Sequence, residues 1–241
     1  MNFGSLFSGI GGLDLGLERA GMRCRWQVEI DPYARSVLKK HWPEVKRYDD
    51  ITRLDGNDLE PVDLICGGFP CQDLSFAGYG RGLDGERSGL WNDFARIIRV
   101  VRPRFVLVEN VAALLQRGLG NILRTLSDCG FNAEWSTVSA CAMGATHMRQ
   151  RLFIVAYSNG LNGRSRLRDS APRQIWEVST VDSFARARAS AKTRLENPSE
   201  LYGSAYESSA GLDRNRGIGN AVYPDVAEWI ARRILEAERT V

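Results

Sequence analysis

The sequence contains no apolar run approaching the roughly 18–20 residues that a membrane-spanning helix requires. Its opening residues, MNFGSLFSGIGG, carry neither a basic flank nor a small-residue cleavage site, so no secretory leader is read there. Together these absences predict a cytoplasmic protein with no membrane partner. Cysteine is sparse: positions 24, 66, 71, 129 and 141, an odd count without any C-x-x-C spacing. That pattern excludes a disulfide framework and a zinc knuckle, and predicts free thiols and no bound metal. Excess charge is also missing. A formal net charge of +3 says nothing by itself about a polyanionic partner. No internal repeat is present, which excludes a repeat architecture.

What is present is strand–helix alternation. Over 241 residues, enough for one α/β domain with a full core and a small appended lobe, short apolar runs predict strands at 2–7, 25–30, 62–66, 104–109 and 152–157. Between them, helical periodicity covers 13–20, 32–42, 90–101 and 121–130, the last with Gly130 as a stop. Alternation of this kind implies a mostly parallel sheet with helices on both faces, and ligands at the carboxyl ends of the strands. The pattern breaks after Tyr157. Residues 158–196 hold 8 Lys/Arg against 4 Asp/Glu, a basic stretch suited to phosphates or to a solvated face. Helical spacing returns with Val222, Val226, Trp229, Ile230 and Ile234. The expected division is 1–157, an irregular excursion over 158–213, and a return segment with a terminal helix over 214–241.

Two motifs carry chemistry. In FSGIGGLDLGLE (7–18), glycines follow the first strand, where they let a backbone approach a ligand closely. The dinucleotide fingerprint G-x-G-x-x-G fails, because Asp14 stands at the third glycine position. Glu29, 20 residues past Gly9, ends the next strand and suits ribose hydroxyls; Asp50 and Ile51 offer a polar edge and an apolar face to a purine. A nucleoside-type cofactor is implied. In CGGFPCQDLSFAGYG (66–80), Cys71 follows a strand and a proline amid glycines, the setting of an exposed nucleophile. Glu109 ends the adjacent apolar strand, within reach to exchange a proton. Cys24, Cys66, Cys129 and Cys141 read as small buried hydrophobes, and His41 as a surface or capping residue.

The blocks FSGIGGLDLGLE, GGFPCQDLS, RSGLW, ENV, MRQRLFIV and RGIGNAVYP, in this order, resemble the DNA (cytosine-5)-methyltransferases. The resemblance covers 1–157 and about 214–240. It implies a Rossmann-like S-adenosylmethionine-dependent methyltransferase domain of the α/β class, with an unusually short target-recognition insertion. It implies further that Phe7, Gly9, Gly11, Glu29, Ile30, Asp50, Ile51, Pro70 and Leu90 hold S-adenosyl-L-methionine, with Asn220 and Val222 closing the pocket. By the same resemblance Cys71 is the nucleophile, Glu109 the acid facing the base, and Arg149 and Arg151 the pair near base and sugar-phosphate. Gln72 and Ser75 support a mobile loop whose glycine-rich part, 78–89, is expected to act as a lid. His147 stands where the family often has Gln.

The implied reaction transfers a methyl group to carbon 5 of a flipped-out cytosine in double-stranded DNA through a transient Cys71 adduct. A cognate restriction endonuclease is a possible partner, not required for activity. Two alternatives stay open on sequence alone: a cofactor-binding pseudo-enzyme impaired by its short middle, and an RNA cytosine-5 methyltransferase. A nicotinamide oxidoreductase is distant, given the failed fingerprint.

Overall fold

The structure, a computed structural model, describes residues 1–70, 89–145, 149–159, 175–176 and 221–239. Among these residues, seven strands form one sheet: β1 (Asn2–Leu6), β2 (Arg23–Val28), β3 (Lys46–Tyr48), β4 (Leu64–Gly67), β5 (Phe105–Val111), β6 (Phe131–Ser139) and β7 (Gln150–Ser158). Their order is β3-β2-β1-β4-β5-β7-β6. β1 to β5 run parallel, β7 is antiparallel to β5, and β6 is antiparallel to β7. The order reverses between β1 and β4, which opens a crevice at their carboxyl ends.

The helices of the described residues are α1 (Gly12–Arg19), α2 (Pro32–His41), α3 (Gly89–Val101), α4 (Leu114–Arg117), α5 (Leu119–Asp128) and α6 (Pro224–Arg239). Local chemistry accounts for their ends. Asp31 caps α2 by accepting from the Ala34 amide at 2.9 Å, Pro32 occupies the first turn, and Lys39, Lys40 and His41 complement the carboxyl-end dipole. After α5, Gly130 takes a φ of 83°, in the left-handed region that ends helices.

Each face of the sheet has its own core. On one, Phe94, Ile97 and Ile98 of α3 and Ile122 and Leu126 of α5 cover Val106, Val108 and Ile154. On the other, Leu13 and Leu17 of α1 and Ile230 and Ile234 of α6 cover Phe3, Leu107 and Val155. Burial on both faces explains why the central strands read as unbroken apolar runs.

Several details depart from the sequence reading. β6 went unread because its residues, FNAEWSTVS, are largely polar or half-exposed at the sheet edge; β3 is only three residues long. Cys24, Cys66 and Cys129 are buried as expected, but Cys141 is exposed, with its Sγ 3.0 Å from Ser139 Oγ. Asp14, which breaks the glycine fingerprint, is wholly buried. It accepts from Ser5 Oγ at 3.0 Å and Gln27 Nε2 at 2.8 Å, tying α1 to β1 and β2. Burial pushes its carboxyl up to about 6, against the pull of those two hydrogen bonds. A glycine there would leave the Gln27 amide without this acceptor. Among the described residues, no helix is long and apolar enough to cross a membrane.

Candidate functional site

One edge of the sheet collects most of the residues singled out from sequence. The carboxyl ends of β1, β2, β3, β4 and β5 lie there together with the amino end of antiparallel β7. The loop after β1 contributes Phe7 and Gly9, both with positive φ (53° and 56°). Phe7 stacks on Phe94, ring centroids 6.2 Å apart. At Gly9 a Cβ would meet nothing within 4 Å, so the loop faces open space as well as needing the left-handed backbone. Gly11 caps the amino end of α1 and lies against the Trp42 ring.

Glu29 follows β2 and organises this loop. Its Oε2 accepts from the Gly9 amide at 2.7 Å and its Oε1 from the Asp31 amide at 2.8 Å. Each carboxylate oxygen keeps a second lone pair for a ligand hydroxyl. Ile30, next in the chain, is 68% exposed, an apolar surface beside the carboxylate. Asp50 caps a short 3-10 turn (Ile51–Arg53) by accepting from the Thr52 amide at 2.9 Å, and the Thr52 bonds hold its carboxyl below the usual range.

The sequence reading missed what fixes that turn. Arg96 of α3 donates through Nη2 to the Ile51 carbonyl at 2.7 Å and through Nη1 to the Leu54 carbonyl at 2.6 Å, with Asp93 Oδ1 2.8 Å from Nη2. Ile51 is buried and Leu90, at the start of α3, is half-buried against the same core. The fork geometry of arginine suits two carbonyls and a carboxylate at once. A surface arginine mid-helix carries no distinguishing sequence signal.

The second half of the edge is built around Glu109. Its carboxylate is buried, 9% exposed, and meets Arg151 Nε at 3.1 Å. Burial raises the carboxyl above its ordinary value; Arg151 first and Arg149 second oppose the rise. Arg149 precedes β7, its carbonyl accepting from the Ala140 amide at 2.9 Å; burial pulls its guanidinium down from the ordinary value, and nearby Arg151 adds to this. Gly68 follows β4, and a Cβ there would lie 2.6 Å from Glu109 Oε2. The absence of a side chain lets the carboxylate rest on the turn that leads through Phe69 and Pro70 to position 71. Asn110, also missed from sequence as an individual residue, donates through Nδ2 to the Phe69 carbonyl at 3.0 Å. Phe69 packs on Trp91 of α3 at 5.2 Å.

Cys71, Gln72 and Ser75, residues 78–88 of the expected lid, His147 and Asn220 lie outside the described residues, and Gly89, the last residue of that expected lid, is the first residue of α3. Val222 is buried among the residues joining α1 to α6. Among the described residues, no group of three or more His, Cys, Asp or Glu side chains is placed to hold a metal ion.

An open glycine loop, a carboxylate with free lone pairs, an exposed aliphatic side chain and a second acidic cap form a set that fits S-adenosylmethionine. The ribose takes hydrogen bonds, the purine needs an apolar face and a polar edge, and the sulfonium is favoured near acidic groups.

Residues 1–197 match the family description C-5 cytosine-specific DNA methylase. Type II methyltransferase M2.BsuMI of Bacillus subtilis (strain 168) is 40% identical over 160 residues, covering 63% of this chain and 41% of that protein. Type II methyltransferase M.NlaIV of Neisseria lactamica is 30% identical over 236 residues, covering 89% of this chain and 55% of that protein. The chain thus spans about half the length of the curated relatives it matches. Among solved structures, the Dnmt2 methyltransferase of S. pombe aligns with a TM-score of 0.68 at 17% identity over 98% of both chains, a likeness of fold. The Rossmann-like sheet and the match over residues 1–197 lead to one conclusion: this chain belongs to the C-5 cytosine-specific DNA methylase family.

Proposed function

We propose that the protein methylates carbon 5 of cytosine in double-stranded DNA, with S-adenosyl-L-methionine as donor. The observation that carries this reading is the convergence at one sheet edge of the Glu109–Arg151 pair, the Gly68–Pro70 turn leading to Cys71, and the Glu29 glycine loop.

Glu29, Ile30, Asp50 and Ile51 hold the nucleoside part of the donor, with the Phe7–Gly11 loop beneath it and Pro70, Leu90, Asn220 and Val222 around it. S-adenosylmethionine supplies, when bound, an electrophilic methyl group on a positively charged sulfur. Carbon 5 of cytosine is too weak a nucleophile to accept it unaided. The Cys71 thiolate adds to carbon 6, pushing an electron pair into the ring and making carbon 5 enamine-like. Glu109 donates a proton or hydrogen bond to the ring nitrogen, which offsets the developing charge. Its raised pKa suits that role, because it keeps a proton on the carboxyl to higher pH. Arg151 fixes the carboxyl's orientation, and Arg149 lies beside it for the sugar-phosphate. Carbon 5 would then take the methyl group, the methyl–sulfur bonding pair staying on the donor sulfur as a neutral thioether, and loss of the carbon-5 proton to solvent would re-form the carbon 5–carbon 6 double bond as Cys71 leaves as thiolate. The base must leave the duplex to reach this edge, at a cost of a few kcal/mol.

The basic stretch within 158–213 is assigned to DNA contact, 1–157 to donor binding and catalysis, and 214–241 to closing the catalytic domain. The expected setting is the cytoplasm, with a restriction endonuclease as a possible companion that catalysis does not require.

The test is transfer of labelled methyl groups to mixed-sequence DNA and, side by side, to RNA. DNA labelling with a denaturation-resistant complex on 5-fluorocytosine duplex, both lost in Cys71→Ser, is the expected result. Transfer to RNA alone overturns the substrate assignment. Donor binding without transfer to either overturns the enzymatic one.

A further inference from the structure

Within residues 160–220 the structure describes Ile175 and Trp176, and both sit on the catalytic fold. Ile175 is 1% exposed, in the core that includes Val138, Phe153, Ile230 and Ile234. Its amide donates to Glu134 Oε2 of β6 at 2.9 Å, and its carbonyl accepts from Arg233 Nε of α6. Arg233 is itself buried, 8% exposed, and its guanidinium lies 5.6 Å over the Trp229 ring, which pairs with Trp176 at 5.9 Å.

A backbone amide and carbonyl inside an apolar core must both find partners. Here a carboxylate and a guanidinium from two different elements supply them, although burying either charge is costly. Simple chain passage over a surface does not call for such a device. The sequence adds its meaning: Ile175 and Trp176 divide the basic stretch, with Arg164, Arg166, Arg168 and Arg173 before them and Arg186, Arg188, Lys192 and Arg194 after. Glu134 sits on β6, which pairs with β7, which pairs with β5 carrying Glu109.

We propose that Glu134 and Arg233 are positioning residues that clamp the backbone of Ile175 and so hold the DNA-contacting stretch in register with the Glu109 pocket. The clamp rests on the DNA-methyltransferase reading above and assigns its middle stretch a fixed mount. Phosphate contacts set the register of a protein on DNA, so the mount decides how those contacts align with the base pocket.

The experiment uses the full chain and compares parent, Glu134→Ala, Glu134→Gln and Ile175→Asp. Binding of S-adenosylmethionine is measured by calorimetry, binding of a mixed-sequence duplex by anisotropy, and methyl transfer by steady-state kinetics. Ile175→Asp alters the mounted segment and leaves the β6 and α6 side chains intact; the melting temperature of every variant is read alongside, and Glu134→Gln, which keeps an acceptor oxygen for the Ile175 amide, reports even if Glu134→Ala fails to fold. Expected are a loss of duplex affinity of about tenfold, the scale of a few lost phosphate contacts, a raised KM for DNA with kcat held, donor affinity within about twofold, and rescue by Glu134→Gln. Unchanged duplex affinity in Ile175→Asp, or donor affinity falling in parallel, overturns the clamp. A parent that binds neither DNA nor donor overturns clamp and function together. A parent that binds duplex but transfers nothing, with affinity still lost in Ile175→Asp, overturns the activity and upholds the clamp.

Discussion

The side-chain amide of Asn110 donates to the carbonyl of Phe69 at 3.0 Å. The strand that carries Glu109 therefore also holds the turn that leads to position 71, so the proposed acid and the residue proposed as nucleophile are referenced to one piece of backbone. Neighbouring Gly68 completes the arrangement by leaving room for the Glu109 carboxylate.

Replacing Asn110 with Ala removes that hydrogen bond and leaves a carbonyl beside the core without its donor, a cost of about 1–3 kcal/mol. The turn shifts, and methyl transfer falls by about 10²-fold, since a displacement of about 1 Å suffices for such a loss. Donor affinity stays near the parent value because the Glu29 loop is untouched. Single-turnover transfer and donor calorimetry on the same variant check this; equal losses in both contradict it.

Arg151→Met tests the coupling of Glu109 to its cation. Burial already lifts the Glu109 carboxyl, and Arg151 restrains the lift. An acid whose folded pKa is raised stabilises the fold below its unfolded pKa and loses that contribution as pH rises through the folded value. Without Arg151 the folded value climbs further, so the variant's stability deficit grows as pH increases above the ordinary carboxylate range. Urea denaturation of parent and variant across that range measures it. A pH-independent deficit is the contrary outcome.

Asp14→Asn probes a second buried acid. Asp14 lies at about 6 in the fold against 3.8 as its ordinary value, so the fold binds its proton more tightly than the unfolded chain does. Its contribution is fully present below 3.8 and declines until pH passes about 6, by about 3 kcal/mol at 1.36 kcal/mol per unit. Asn keeps the shape without the titration. The stability of the variant relative to parent is expected to rise between these two pH values and then level. Paired denaturant titrations at several pH values give the difference, and a flat difference contradicts the assignment.

Arg96→Lys is expected to weaken S-adenosylmethionine binding by about tenfold, or 1.4 kcal/mol. Lysine cannot serve the carbonyls of Ile51 and Leu54 and the Asp93 carboxylate together. The turn carrying Asp50 and Ile51 then loosens at the proposed donor site. Calorimetry reads the affinity, and the melting temperature separates this from general unfolding. Donor affinity equal to the parent's rules the role out.

Much of the fold was legible because its central strands are buried on both faces and therefore read as apolar runs, while α1, α2, α3, α5 and α6 show one-sided periodicity. β6 escaped because an edge strand needs apolar residues on only one side. The turn Gly68–Pro70 and the carboxylate of Glu109 at a strand end were legible from chemistry, since a proline among glycines and a carboxylate ending an apolar strand are both unusual. Asn110, Arg96 and Glu134 were not. Each acts by donating to or accepting from a backbone group far along the chain, and an unremarkable polar residue gives no local sign of such a partner.

By itself, then, the sequence determined the alternation of strands and helices, the glycine turns and the residue types available at the strand ends, because these depend on short-range patterns of burial and backbone freedom. Only the tertiary structure decided that β7 runs antiparallel and brings Arg151 to Glu109, that Asp14 is buried where a glycine was sought, and that Ile175 is seated between Glu134 and Arg233. Those relationships join residues separated by 9 to 58 positions. Contacts at such separations exist only once the chain has packed, because desolvation and charge pairing are set by neighbours in space.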